Sequence, residues 1–294
     1  MIYLIYIYLE QNKFTESIIL ADKALLIETN SSQLYYFYAL ANYRTGNIEK
    51  AKQFLVKSKT CFPNYTSIVV LDETINLHES EQSETHLLKL KSKFDSQSIE
   101  YNNGRSQADY ATPEIIFNEV KRLRHGNFNK ILDLGCGTGL SGELFCQESK
   151  YLCGVDLSSS MIELARQKKI YDELIEIDIL QYLNECHSSH YDIVIASSVF
   201  IYFSKLEQLL VQTARILNNN GVLCFDLNLD ENSESFSIFT LNGMQFKHGK
   251  NYVYKCAHEA GLIHENTIES AFEYVKLGTK FPGNIYSFSK NQYT

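Results

Sequence analysis

Positive charge is scarce in this chain. Its 27 Lys and Arg face 35 Asp and Glu, leaving a net charge of −8 and a pI near 5.5. An extended nucleic-acid-binding face needs clustered Lys and Arg to neutralise phosphate, so no nucleic-acid partner is expected. The short basic clusters Lys89/Lys91/Lys93 and Lys121/Arg122/Arg124 read as solvated faces. Paired cysteines are missing too: the seven Cys are odd in number and contain no C-x-x-C. Several fall inside expected strands or helices, as small buried hydrophobes in a reducing compartment, and no metal site is visible. Long apolar runs are also lacking. The opening MIYLIYIYLE is apolar but short, has no basic start and leads straight into polar helix, so neither a signal peptide nor a membrane span is expected. The cytoplasm is the expected compartment.

What is present fills two domains, since 294 residues is long for one core. The first repeats itself at an offset of 34 residues, which pairs Asn12 with Gly46, Leu4 with Tyr38, Phe14 with Ile48, Ser17 with Ala51, Ala24 with Ser58 and Asn30 with Asn64. That is the period of tetratricopeptide (TPR) helix pairs. Tyr35, Ala39, Gly46, Ala51 and Pro63 stand where that repeat's aromatic, small, turn and closing residues belong. Residues 1–78 are therefore read as a TPR-like helical domain with Thr66 to Asn76 as its capping helix. It serves as a peptide-docking groove or as a structural or self-associating cap. The polar stretch from Leu77 to Glu84 places a linker over residues 79–93, beside solvent-facing His78 and His86, and a second domain follows over residues 94–294.

The second domain is organised around KILDLGCGTGL, Lys130 to Leu140. Ile131 to Leu134 suit a strand buried on both faces, and Gly135, Gly137 and Gly139 follow at once. Alternate glycines let the backbone turn sharply and approach a ligand at the start of the next helix. Asp156 stands 19 residues after Gly137 at the end of a second strand, where a carboxylate accepts both hydroxyls of a ribose. NAD sites share this geometry. Against them stand Asp133 just before the glycines, the G-x-G-x-G spacing, and Asp178 on a third strand, an acid able to accept the exocyclic amine of adenine. Asp133 suits a cationic amino-acid head group rather than a pyrophosphate.

Together DLGCGTG, GVDLSSSM and the Asp178 strand resemble the class I S-adenosylmethionine-dependent methyltransferases, over roughly residues 94–289. The resemblance implies an α/β, Rossmann-like, seven-stranded domain with S-adenosyl-L-methionine as cofactor. By the family pattern, Gly135, Cys136, Gly137 and Gly139 line the methionine part, Asp156 holds the ribose, Asp178 and Ile179 flank adenine, and Leu157 and Met161 add apolar contact. Ser197, after the fourth strand, is the candidate for the methionine amino group, with Ser198 and Tyr202 facing the acceptor.

Three residues are candidates for catalysis. Tyr101, with Tyr110, lies in a segment expected to cover the cofactor, where an aromatic face would meet the sulfonium. Tyr202 faces the acceptor. His248 closes the crossing from Asp230 to Gly249 ahead of a helix and is the leading general base. His187 and His190 fall at the wrong edge of the sheet. The whole chain resembles predicted TPR-containing bacterial methyltransferases, whose pattern has an acid near Ser198, a glycine near Phe203 and an arginine near Gln245; this sequence departs at all three. The expected activity is methyl transfer to an O or N nucleophile of a small-molecule or protein acceptor. The alternative is a cofactor-binding scaffold whose repeats recruit a protein partner or self-associate.

Overall fold

In the computed structural model the described residues run from 1 to 291, apart from residues 12, 28–30, 62–65, 81–83, 108–110, 127, 231–235, 240–244 and 275–278. Asn12, Asn30, Pro63, Asn64 and Tyr110 lie outside them.

Five helices come first: α1 (Ile2–Glu10), α2 (Phe14–Leu25), α3 (Ser32–Arg44), α4 (Ile48–Cys61) and α5 (Thr66–Ser80), each packed on the next through α5. Small side chains make the close packing possible. Ala39, Ala51 and Ser58 are fully buried, and Ser32 Oγ lies 3.1 Å from Ser58 Oγ across the α3–α4 seam. Gly46 turns the chain between them at φ +79°. Ser31 caps α3 by accepting the Leu34 N–H at 3.3 Å. The aromatic run of α3 is mostly core: Tyr35, Phe37 and Tyr38 are buried. Two apolar clusters result, one around Ile5, Ala21, Leu34 and Tyr38, the other around Ala39, Leu55, Ile68 and Ile75.

The expected linker is largely helix. Residues 84–107 form α6 (Glu84–Gln107), and its Leu90 joins the core beneath the sheet. Leu87, Leu90 and Phe94 recur at helical spacing, so a polar-looking stretch had an apolar stripe to bury. His86, expected at the surface, is 2% exposed. Tyr101 lies on α6 rather than in an irregular covering segment, and its side chain is outside the described ones.

Beyond α7 (Thr112–Leu123) the chain alternates strand and helix: β1 (Phe128–Leu134), α8 (Leu140–Phe145), β2 (Ser149–Asp156), α9 (Ser159–Lys168), β3 (Glu173–Glu176), α10 (Ile179–Glu185), β4 (Tyr191–Ala196), α11 (Glu207–Ile216) and β5 (Leu217–Leu229). These five strands are parallel, in the order β3-β2-β1-β4-β5. A hairpin follows, β6 (Phe236–Phe239) and β7 (Gln245–His248), then α12 (Lys250–Glu259), β8 (Leu262–Tyr274) and β9 (Thr279–Lys290). β9 lies antiparallel against β5, and β8 against β9. The seven expected strands are present, and the crossing from Asp230 to Gly249 adds two more. β7 extends from the tip of β5, pairing Asn228 with Lys247 and Leu229 with His248.

Strand residues alternate between two cores, as the continuous apolar runs require. Ile131, Ile193, Ile195 and Cys224 face Ile116 and Val120 of α7. Leu132, Val194, Ala196 and Phe225 join Leu183, Leu209 and Val253 of the helices on the other side.

Candidate active site

Strand order reverses between β1 and β4, and in open α/β sheets the crevice at the carboxyl ends beside that reversal is where ligands bind. A cavity opens there, with about 720 Å³ of empty space including its mouth. Gly135, Gly137, Asp156, Leu157, Met161, Asp178, Ile179 and Ser197 line it, eight of the residues expected to hold the cofactor. Ser198, Val199, Tyr202 and Phe203 line the side toward β4, and Leu87, Leu90 and Phe94 of α6 close it from above the tips of β2 and β3.

Gly135 holds φ +64°, and a Cβ there would stand 2.4 Å from Val199 Cγ2, so only glycine fits. The loop then turns onto Asp156. The Gly137 N–H donates to its Oδ2 and the Ser158 N–H to its Oδ1, each at 2.8 Å. Burial pushes this carboxyl up to about 6, against the pull of those two N–H groups. Each oxygen keeps a lone pair for a further donor such as a hydroxyl. Ser158 also caps α9, accepting the Met161 N–H at 3.2 Å. Asp178 caps α10 through the Gln181 N–H at 3.0 Å, so it occupies the rim of the cavity on a rigid helix start.

Asp133, Cys136 and Gly139 are not part of the cavity lining. Asp133 sits underneath, 1% exposed, its Oδ2 accepting the Tyr171 hydroxyl at 2.7 Å while Oδ1 has no hydrogen-bond partner. Burial raises it to about 7, opposed by the Tyr171 bond and assisted by the charge of Asp156. An orphaned carboxyl oxygen beneath a glycine loop fits a cationic head group and not a pyrophosphate. Tyr171 went unnoticed in the sequence. Its ring fills the groove over Gly142 and Gly154, where a Cβ would approach within 2.3 and 2.8 Å. Two glycines in regular elements were the available signal.

On the side toward β4 Ser198 holds φ +55°, unusual for a residue with a side chain. Buried Asp226 restrains it, accepting the Ser198 N–H at 2.5 Å. Tyr202 is buried, receives a hydrogen bond from Gln245 Nε2 at 3.1 Å, and meets Phe94 edge to face at 5.3 Å. The Lys93 ammonium lies 5.3 Å from the centre of its ring.

His248 is a correction. It is fully buried outside the cavity lining, donating from Nε2 to the Phe203 carbonyl at 2.9 Å and stacked on Tyr252. Burial pushes it down to about 4, so the ring is neutral and walled off from any acceptor. It stands ahead of a helix as expected, but the pairing of β7 with β5 turns the ring inward. His190 contacts Lys130 at the opposite edge of the sheet.

Comparisons with known proteins find methyltransferases. Residues 132–225 match the family model described as a methyltransferase domain. The malonyl-[acyl-carrier protein] O-methyltransferase of Priestia megaterium is 34% identical over 113 residues, 36% of this chain and 40% of that protein. The 18S rRNA (guanine-N(7))-methyltransferase of Mus musculus is 29% identical over 116 residues, 33% of this chain and 41% of that protein. The chain thus spans about two fifths of the length of these relatives. Among solved structures, a chain of the complex formed by the Haloferax volcanii Trm112 methyltransferase activator superposes with a TM-score of 0.56 at 16% identity, over 69% of this chain and 98% of that one. The α/β half has a Rossmann-like fold, and within it residues 132–225 match a methyltransferase domain, a kind of domain whose cofactor is S-adenosylmethionine. These relatives overturn one expectation. An rRNA methyltransferase resembles this domain, so an acidic whole-chain charge does not exclude nucleic acid as an acceptor.

Proposed function

We propose that this chain transfers a methyl group from S-adenosylmethionine to an O or N nucleophile. The observation that carries this reading is Asp156, whose two oxygens are aimed into the cavity by the N–H groups of Gly137 and Ser158. When bound, the cofactor supplies an electrophilic methyl on sulfur, and displacement sends the C–S electron pair to sulfur as the new C–O or C–N bond forms. The chain's own residues bind and align the reactants. Asp156 accepts the ribose hydroxyls, Leu157, Met161 and Ile179 enclose the adenine, and Asp178 accepts its amine. Asp133 faces the cationic head group from below the glycine loop, with Cys136 and Gly139 shaping that loop and Ser197 at the amino group. Phe94 and Tyr202 exclude water beside the sulfur, and their faces already attract the Lys93 ammonium. With His248 in the wall, base catalysis by that residue has no part.

The 34-residue offset and the α3–α4 seam support a TPR-like character for residues 1–78, and the unpaired buried thiols Cys136, Cys153, Cys224 and Cys256 support a reducing compartment such as the cytoplasm. Titration calorimetry of the folded chain with S-adenosylhomocysteine and, separately, NAD tests the reading. Saturable heat with the first alone is expected; none at millimolar concentration overturns it.

A further inference from the structure

The hairpin inserted between β5 and α12 joins two parts of the molecule that are far apart in sequence. Its strand β7 is four residues long, and three of them make buried contacts in two directions. Phe246 is fully buried in the apolar cluster of α3, α4 and α5, among Ala39, Leu55, Ile68 and Ile75. Gln245 donates to the Tyr202 hydroxyl at 3.1 Å, and His248 donates to the Phe203 carbonyl at 2.9 Å. Tyr202 and Phe203 line the cavity. They belong to a turn of little intrinsic stability: one 3-10 turn, Phe200–Tyr202, closed by the Tyr202 N–H to Val199 at 3.0 Å and the Phe203 N–H to Phe200 at 3.1 Å. A single turn does not hold its own position, so external contacts set where its side chains stand.

We propose that the helices α3–α5 position the acceptor-side wall of the cavity through this hairpin, with Phe246 as the anchor and Gln245 and His248 as positioning residues for Tyr202 and Phe203. On this account the inner surface of the helical array holds a segment of the chain itself, and the array acts on the site from a distance. The side chain of Phe246 fixes where β7 runs against α3–α5, while backbone pairing joins β7 to the tip of β5 and to β6. The amide of Gln245 then sets the orientation of the Tyr202 phenol, and His248, backed by Tyr252 at a ring distance of 6.1 Å, sets the height of the Phe203 carbonyl. Tyr252 is itself held by the Leu206 N–H at 3.0 Å and by Glu207 at 2.9 Å, so this side of the turn rests on α11 and α12. The cofactor side is independent of the tie, because the Gly137 and Asp156 contacts involve neither the hairpin nor the array. That these wall residues face a methyl acceptor rests on the reading of the site given above.

The test uses the full chain with 3-fluorotyrosine placed at position 202, followed by fluorine NMR, by hydrogen exchange of residues 199–206, and by calorimetric titration with S-adenosylhomocysteine. Phe246→Ala is expected to shift or broaden the fluorine resonance and to speed exchange at 199–206 at least tenfold. Affinity for S-adenosylhomocysteine should stay within threefold and exchange at the β1–β3 tips should be unchanged. Phe246→Leu should recover most of both signals, and Gln245→Leu should move the resonance alone. If Phe246→Ala does not fold, the milder Phe246→Val carries the same comparison against the unaltered chain, and Gln245→Leu carries that of the resonance. A resonance and exchange rates matching the unaltered chain, or exchange rising equally in β1–β3, overturns the proposal. Absence of S-adenosylhomocysteine binding by the unaltered chain removes the methyl-transfer reading instead, and the fluorine and exchange measurements still decide the tie.

Discussion

Gly135 shows how little freedom the site leaves to a single position. Its positive φ and the 2.4 Å approach of Val199 to the place of a Cβ act together, so relaxing one does not relieve the other. Gly135→Ala is expected to cost about 1–3 kcal/mol in the folded chain and at least tenfold in affinity for S-adenosylhomocysteine, measured by urea unfolding and calorimetry. His248 carries a pH signature. Its pKa is about 4 in the fold and ~6.5 when unfolded, so the unfolded chain binds the extra proton between those values. The stability it permits is intact above pH ~6.5 and declines as pH falls toward 4, by roughly 3 kcal/mol in all. The stability difference between the chain and His248→Gln should shrink through that window; a difference that does not vary with pH would contradict the buried, neutral ring.

At the scale of elements, α6 does what its sequence least suggested. Asp95 accepts from the Ser158 hydroxyl at 2.5 Å and the Ser160 N–H at 3.2 Å, which fastens α6 to the start of α9. Burial works to raise the Asp95 carboxyl, but Ser158, Ser160 and Lys91 together hold it below the usual carboxylate range. Because α9 begins just after Asp156, α6 closes over the cavity beside that carboxylate. Asp95→Ala should lose about 1 kcal/mol of stability and weaken S-adenosylhomocysteine binding several-fold, since Leu90 and Phe94 lose their fixed place over the cavity. Equal affinity in the two proteins would show that α6 needs no such fastening.

For the molecule as a whole, Phe246 makes the helical array and the α/β half share a core. Heating should therefore give one transition whose calorimetric and van't Hoff enthalpies agree. Phe246→Ala, which empties a fully buried aromatic site at a cost of about 3–5 kcal/mol, should split it into two. A single transition in both proteins would mean that other contacts couple the halves.

Sequence alone was enough for the glycine loop, the strand-end acids and the continuously apolar strands, because each is local: a φ requirement, a 19-residue spacing, a short apolar run. It also gave seven of the nine strands of the described sheet and eight residues that line the cavity. It failed where partners are distant. The linker was helix because its apolar stripe found a sheet to cover, Tyr171 mattered because two glycines made room for it, and His248 turned inward because β7 paired with β5. The sequence by itself determined the backbone turns and carboxylates at the strand tips, since these features lie a few residues apart. Only the tertiary structure decided what closes over them, since burial and hydrogen bonding between α3–α5, the β6–β7 hairpin and the turn at Tyr202 depend on surfaces that meet only once the chain has folded.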